Sequence, residues 1–159
     1  MNNNEQLKLE NQLCFRLYTA ARLIVQAYEP FLKPHGITYT QYLVLLVLWD
    51  TDNQPINDIG KRLLLGINTT SPLIKRMEKQ GLVARHGSDT DKRQQIVYLT
   101  QKGKDMKKIA AEIPECMTEN IRSCNIEPGK LMTIIPILDD FIDKMNRREH
   151  HLPTSTEQE

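Results

Sequence analysis

Leu73-Ile-Lys-Arg-Met-Glu-Lys-Gln-Gly-Leu-Val-Ala-Arg85, followed by Asp89-Thr-Asp-Lys-Arg93 and Tyr98-Leu-Thr-Gln-Lys-Gly103, changes from helix to strand and back to helix within about thirty residues. A helix beginning somewhere in 68–72 runs to Gly81, where a residue without a Cβ ends it cheaply. Residues 82–88 and 94–99 then suit two short strands, and the polar, charged Asp89–Arg93 segment suits the tip of the hairpin between them. Thr100 can cap the helix that follows, over about 101–123, with Pro114 as a kink or break.

Upstream of this stretch, a short helix is expected over about 56–64, with Ile59, Leu63 and Leu64 inward, and it meets Gly66 before the next helix begins. Two short helices joined through a Gly-containing turn form a helix-turn-helix, and a hairpin directly after the second helix is a wing. Thr38 or Thr40 can cap a helix over roughly 40–51, whose near-continuous apolar character, with Trp49, predicts burial on most sides. Asp50-Thr-Asp-Asn-Gln-Pro55 reads as a turn-rich break.

Residues 7–32 read as one long helix. Cys14, Tyr18, Ala21, Val25 and Tyr28 form one row, and Leu13, Leu17, Ala20 and Ile24 run beside it. This wide apolar face must pack on other helices or on a second copy of the chain. Pro30 weakens its end, and Pro34-His-Gly36 closes it. Near the C-terminus, Pro128 starts a last helix to about 148, with the stripe Leu131, Ile134, Ile135, Leu138, Phe141, Ile142 and Met145 and a bend at Pro136. The expected fold is therefore mainly α with a small β-hairpin wing. Residues 1–38 and 101–148 form a helical dimerisation region, 39–100 the winged helix-turn-helix, and 149–159 a polar, flexible tail.

Charge is distributed to match. The chain has a net charge of +1, yet residues 60–93 carry eight Lys/Arg against three acids, leaving the remainder net acidic. A basic middle in an acidic frame is the footprint of a phosphate-binding surface. With 40% apolar and 26% charged residues the composition is that of a globular protein, and at 159 residues it can bury a core without disulfides or metals. No apolar run is long enough to span a membrane, and the N-terminus lacks a signal-peptide pattern, so a cytoplasmic location is expected. Three widely spaced cysteines, Cys14, Cys116 and Cys124, are no disulfide framework and are expected as free thiols. No His/Cys cluster has ligand spacing, so no metal or other cofactor is expected; His35 and His86 are lone, and His150-His151 lies in the polar tail.

From residue 7 to 147 the chain resembles the MarR family of winged helix-turn-helix regulators, most specifically through the segments quoted first. Asn11-Gln-Leu-Cys14-Phe, Tyr18, Tyr28 and Ile37-Thr-Tyr39-Thr-Gln-Tyr42 resemble its organic-hydroperoxide-sensing branch. The resemblance implies an intertwined homodimer on a pseudo-palindromic double-stranded operator. It implies Cys14 as the peroxide-reactive residue, with Tyr18, Tyr28 and Tyr39 lining its pocket. It also implies Arg93 in the minor groove, positioned by Asp91, and a role in some members for a second Cys on the helix after the wing. Cys116 and Cys124 both fall in that region, as a resolving thiol or as incidental ones.

Short polar residues suit the recognition-helix end that enters the major groove, so Asn68, Thr69, Thr70 and Ser71 are candidate base contacts, with helix capping as the alternative. Lys75 and Arg76, one turn further, and Lys92 and Arg93 in the wing complete the set. Tyr18 lies one turn from Cys14, about 6 Å along the axis, whereas Tyr28 lies about 21 Å away on the same straight helix. While that helix is straight, Tyr28 cannot meet its own chain's Cys14 but can meet a partner's if the two helices cross, and Tyr39 is free to approach either chain. Oxidation of Cys14 to a sulfenic acid, capped as a disulfide or sulfenamide, would disfavour the DNA-bound arrangement of a repressor. The competing expectation is release by a phenolic or carboxylate ligand. A thiol peroxidase, the reading as an enzyme, lacks support: there is no thioredoxin-like βαβ pattern and no Cys-x-x-Cys.

Overall fold

The computed structural model describes residues 3–88, 91 and 93–149. Of the expected features, Asp89, Thr90 and Lys92 of the hairpin tip and the tail beyond Glu149 lie outside the described residues.

The N-terminal helix begins later than its apolar pattern suggests. A short α1 (Asn3–Gln6) and a 3-10 turn (Leu9–Asn11) precede α2 (Leu13–Leu32), so residues 7–12 are not part of the long helix. The side chains of Asn11 and Gln12 donate back to the carbonyls of Glu5 and Gln6, giving that backbone an alternative to helix, and Gln12 is extended at φ −89°. Pro30 lies inside α2 without ending it. The helix stops two residues later, and Gly36, in the left-handed region at φ +68°, makes the corner.

Thr38 then caps α3 (Tyr39–Asp50) through a reciprocal capping box with Gln41. This helix is apolar on nearly all sides and lies at the centre of the core: Val44, Leu45 and Leu48 are buried among Ile59, Leu73, Ile74, Met77, Leu82, Val83 and Val97. Next come α4 (Ile56–Arg62) and α5 (Ile67–Lys79). Leu64, expected inward, is exposed: it takes φ +53° in the turn, where the backbone reverses so that the Leu65 N–H reaches back to Gly60 O at 2.9 Å.

The hairpin forms from β2 (Val83–Gly87) and β3 (Gln95–Leu99), paired antiparallel with Val83 opposite Leu99 and Arg85 opposite Val97. A third strand, β1 (Gln54–Pro55), adds to the free side of β3, giving the order β1-β3-β2 where the sequence suggested only a turn-rich break. Two residues ending in Pro carry no alternating pattern, and Pro is tolerated on an edge strand. Asp52 extends the pairing with a side chain, accepting from the Leu99 N–H at 2.9 Å.

Thr100 caps α6 (Gln101–Ala110), accepting from the Gly103 N–H at 3.1 Å. The helix is interrupted before α7 (Ile113–Ser123), leaving Pro114 in a first turn where its missing N–H is no loss. The chain divides at Met117/Thr118 into two compact units. The second unit holds the end of α7, then α8 (Pro128–Met132) and α9 (Ile135–Glu149), a division near Pro136 of the last expected helix. Its large apolar side chains, including Ile137, Phe141 and Met145, are exposed.

Candidate nucleic-acid interface and thiol–tyrosine site

The helix-turn-helix is held by a close approach. A Cβ on Gly60 would lie 2.8 Å from Leu65 O and 2.9 Å from Thr70 Oγ1, so only glycine lets α4 meet the start of α5 this tightly. Thr70 is consumed by that contact. It is fully buried, at 0% exposure, and its hydroxyl donates to Gly66 O at 3.0 Å. The expectation that Thr70 touches DNA is therefore corrected: its hydroxyl faces the turn. Gly66 occupies the cap position of α5, and no side chain caps there. Asn68 and Thr69 are exposed and Ser71 is half-buried on the same end of the helix, while Lys75 and Arg76 are exposed one turn on.

In the wing, the Asp91 carboxylate accepts from the Arg93 backbone N–H at 2.9 Å, and the Gln94 N–H closes the turn onto Asp91 O at 2.9 Å. The acid thus sets the backbone from which the exposed Arg93 side chain projects. Arg85, on β2, holds Glu78 of α5 through Nε at 3.0 Å and Nη2 at 2.6 Å. This hydrogen-bonded pairing pulls the Glu78 carboxyl below its ordinary range, with the charges of Arg85 and Lys75 adding to the effect. Between α5 and the wing lies a cleft of about 320 Å³ lined in part by Asn57, Ser71, Arg85 and Arg93. Asn57 and Arg85 were not among the expected interface residues. Arg85 contributes to the basic segment, but only the strand register shows that it faces α5.

The thiol and the tyrosines separate into two groups within one chain. Cys14 is the second residue of α2 and is exposed, and Tyr18 is 67% exposed. Tyr28 is on the same uninterrupted helix, about 21 Å from Cys14 along the axis. Tyr39 packs on Tyr28 with ring centroids 4.9 Å apart, so Tyr39 too is held away from its own chain's thiol. Tyr42 joins them, 5.8 Å from Tyr28, and leans on Trp49. Burial raises the pKa of all three phenols; Tyr39 and Tyr42 add to the effect on Tyr28, and Tyr39 adds to that on Tyr42. They remain O–H donors at neutral pH. Beside them opens a largely apolar cavity of about 490 Å³, lined by Val25, Leu32, Lys33, Ile37 and Tyr39 among others. Cys116 is half-buried on α7 and Cys124 exposed just beyond it. Tyr42 was quoted in the sequence pattern but not assigned to the site; its place four residues after the Thr38 cap, one turn above that corner, is what brings it in.

Among the described residues, no group of three or more His, Cys, Asp or Glu side chains could hold a metal ion, and no helix is long and apolar enough to cross a membrane.

Comparison with known proteins agrees with this geometry. Residues 26–109 match the family described as "Transcriptional regulator SarA/Rot". The "Organic hydroperoxide resistance transcriptional regulator" of Bacillus subtilis (strain 168) is 42% identical over 113 residues, covering 71% of this chain and 77% of that protein. Among solved structures, AbfR bound to DNA in its overoxidized form is 41% identical with a TM-score of 0.68, covering 89% of this chain and 98% of that one. Reduced AbfR bound to DNA is 40% identical with a TM-score of 0.67, covering 89% and 97%. Disulfide-formed AbfR is 42% identical with a TM-score of 0.56, covering 87% and 96%.

Proposed function

This chain belongs to the SarA/Rot family of MarR-type winged-helix transcriptional regulators, and from that premise we propose that it is a cytoplasmic, homodimeric repressor released from its operator when an organic hydroperoxide oxidises Cys14. The observation that carries the reading is the placing of Cys14 and Tyr18 near one end of α2 and of the Tyr28–Tyr39 pair near the other. Two α2 helices crossing antiparallel in a dimer bring the Tyr28–Tyr39 pair of each protomer to the Cys14 of the other. The α2 face that would cross is open: Leu13, Tyr18 and Ile24 are exposed.

The chemistry follows from the groups assembled. The Cys14 thiolate attacks a peroxide oxygen, the O–O bond breaks, and the alkoxide leaves as an alcohol after taking a proton. Sulfur is oxidised to a sulfenic acid and the peroxide is reduced. Protonated phenols donate to the thiolate while keeping the surroundings apolar enough for an alkyl group, and the cavity beside Tyr39 has room for one. A second thiol, from Cys116, Cys124 or a small-molecule thiol, condenses with the sulfenic acid, forming a disulfide and releasing water. AbfR is bound to DNA even when overoxidized. That favours placing release in this protein at disulfide formation rather than at the addition of oxygen to sulfur. The reaction is a stoichiometric signal and needs no cofactor.

On the DNA side, Asn68, Thr69 and Ser71 present short polar groups to base edges. Lys75, Arg76, Lys92 and Arg93 meet phosphate and groove, and Asp91 sets Arg93 in place. The two motifs of a symmetric dimer reach half-sites about one helical turn apart on a pseudo-palindromic operator.

A second reading has the cavity beside Tyr39, with Lys33 on its wall, admitting a phenolic or carboxylate ligand that triggers release instead. An operator-shift assay with and without an organic hydroperoxide, run beside Cys14→Ser, separates the two. Under redox control the substituted protein binds operator and no longer lets go. A response that survives the substitution rejects redox control. Peptide mass mapping of the oxidised protein distinguishes a Cys14–Cys116 crosslink, a Cys14–Cys124 crosslink and mixed disulfides with small thiols alone.

A further inference from the structure

Gln41 and Gln80 are 39 positions apart and stand on two elements with different tasks. Gln41 is on the first turn of α3, between Tyr39 and Tyr42; Gln80 is the residue that ends α5, the recognition helix. The Gln41 side chain is 3% exposed and both ends of its amide are used. Its Oε1 accepts from the Thr38 N–H at 2.9 Å, and its Nε2 donates to Gln80 Oε1 at 2.8 Å. The Gln80 Nε2 in turn donates to Gly36 O at 2.9 Å. The corner at 36–38, which leads into the tyrosine cluster, is thus tied at two points to the end of the helix that enters DNA.

We infer that this amide pair transmits the state of the thiol–tyrosine site to the recognition helix, Gln41 and Gln80 acting as positioning residues. The inference rests on the redox reading above. Tyr39 is one residue from Thr38 and three from Gly36. A shift of its ring on reaction at a partner's thiol moves the backbone carrying both anchor points. Hydrogen bonds tolerate only a few tenths of an ångström before weakening, so the end of α5 must follow or the pair must break. Both are two-state responses, and coupling between sites needs such an element. Apolar packing between α3 and α5 also joins the two regions, but it has no direction and can slide. The amide pair fixes one register.

The test measures operator Kd for reduced protein and for protein oxidised with cumene hydroperoxide, and takes the ratio. Gln80→Ala removes both bonds from an exposed position; Gln80→Glu keeps an acceptor for Gln41 and turns a second acceptor oxygen toward Gly36 O in place of the donor. Lys102→Ala is the control, since Lys102 Nζ holds the same helix end through Gln80 O at 2.8 Å without touching the tyrosine corner. In the parent protein the ratio should be at least about fivefold, the lower end of ordinary coupling. It should fall to near one in both Gln80 variants, with Cys14 oxidised to the same extent by mass, and stay at the parent value in Lys102→Ala. A parent-like ratio in the Gln80 variants overturns the coupling and leaves the redox reading standing. So does an equal collapse in Lys102→Ala, or a large loss of reduced-state binding in both Gln80 variants, which would make the pair a simple brace. A parent protein whose Cys14 is oxidised with no change in Kd overturns the redox reading itself, and the coupling falls with it.

Discussion

Thr70 and Ser71 are adjacent and chemically alike, yet the fold gives them opposite surroundings. Thr70 faces Gly60 and the turn; Ser71 faces the cleft toward the wing. Thr70→Val keeps the shape and removes the hydroxyl's bond to Gly66 O, so it is expected to cost about 1 kcal/mol of stability, read by thermal or urea unfolding. Operator affinity per folded dimer should hold. Arg93→Ala belongs to the other class. It should weaken operator binding and reduce the slope of log Kd against log salt by about one if one phosphate contact is lost; an unaltered slope across a salt titration would exclude it from the interface. Glu78 supplies a pH test. Its pKa is lowered in the folded state, chiefly by the hydrogen bond from Arg85, so its stabilising effect is present above its ordinary value of 4.5 and is lost as pH falls through the lowered folded value. The gap in melting temperature between the parent and Glu78→Gln should therefore close as the solution is acidified below that value. A gap independent of pH would show that the ion pair contributes nothing.

At the level of elements, boundaries follow caps and corners more than apolar patterns. Thr100 was readable as a cap, and the first cap to within Thr38 or Thr40, because a hydroxyl before an apolar run satisfies helix N–H groups whatever the tertiary context. The start of α2 was not readable, since the same apolar rhythm continues through residues whose Asn and Gln side chains bond back to the backbone. Strand β1 was invisible for a different reason: two residues without alternation become a strand only because β3 offers an open edge. The junction of α6 with the hairpin is the tightest of these contacts. A Cβ on Gly103 would lie 2.1 Å from Leu82 O, and Gly103 O accepts from Trp49 Nε1 at 2.9 Å. The carbonyl of Leu82 is backbone and cannot swing aside. Gly103→Ala should accordingly destabilise by about 1–3 kcal/mol or more, as overpacking does, lowering the unfolding midpoint and shifting Trp49 fluorescence. An unchanged midpoint would mean that the helix can ride away from the hairpin.

For the whole molecule, the largest unanswered demand is the apolar surface left open on α2 and α9. Six large apolar side chains of α2, Leu13, Phe15, Tyr18, Leu23, Ile24 and Val25, are exposed, and α9 exposes Ile135, Ile137, Phe141, Ile142 and Met145. Exposed apolar surface on this scale marks an interaction site. Ile24→Asp places a charge within the α2 face. It should yield a folded monomer by sedimentation, with native circular dichroism, and abolish operator binding at concentrations where the parent is dimeric. A dimer that tolerated the charge would remove α2 from the interface and with it the route from Tyr28 to a partner's thiol.

The amino-acid sequence on its own determined what local chemistry controls: the apolar run of α3, the break at Gly66 before α5, the cap at Thr100, the two strands of the hairpin, and the presence on one long helix of a thiol with Tyr18 one turn away and Tyr28 too far along to meet it. The tertiary structure decided what depends on neighbours distant in the chain. It buried Thr70 beside Gly60, recruited Gln54 and Pro55 to the sheet, set Tyr39 and Tyr42 against Tyr28, and joined Gln41 to Gln80. The physical reason is one of range. Propensity, capping and periodicity act over a few residues and leave their mark in sequence order, whereas burial and hydrogen-bond partnership are settled only when separate elements compete for the same space.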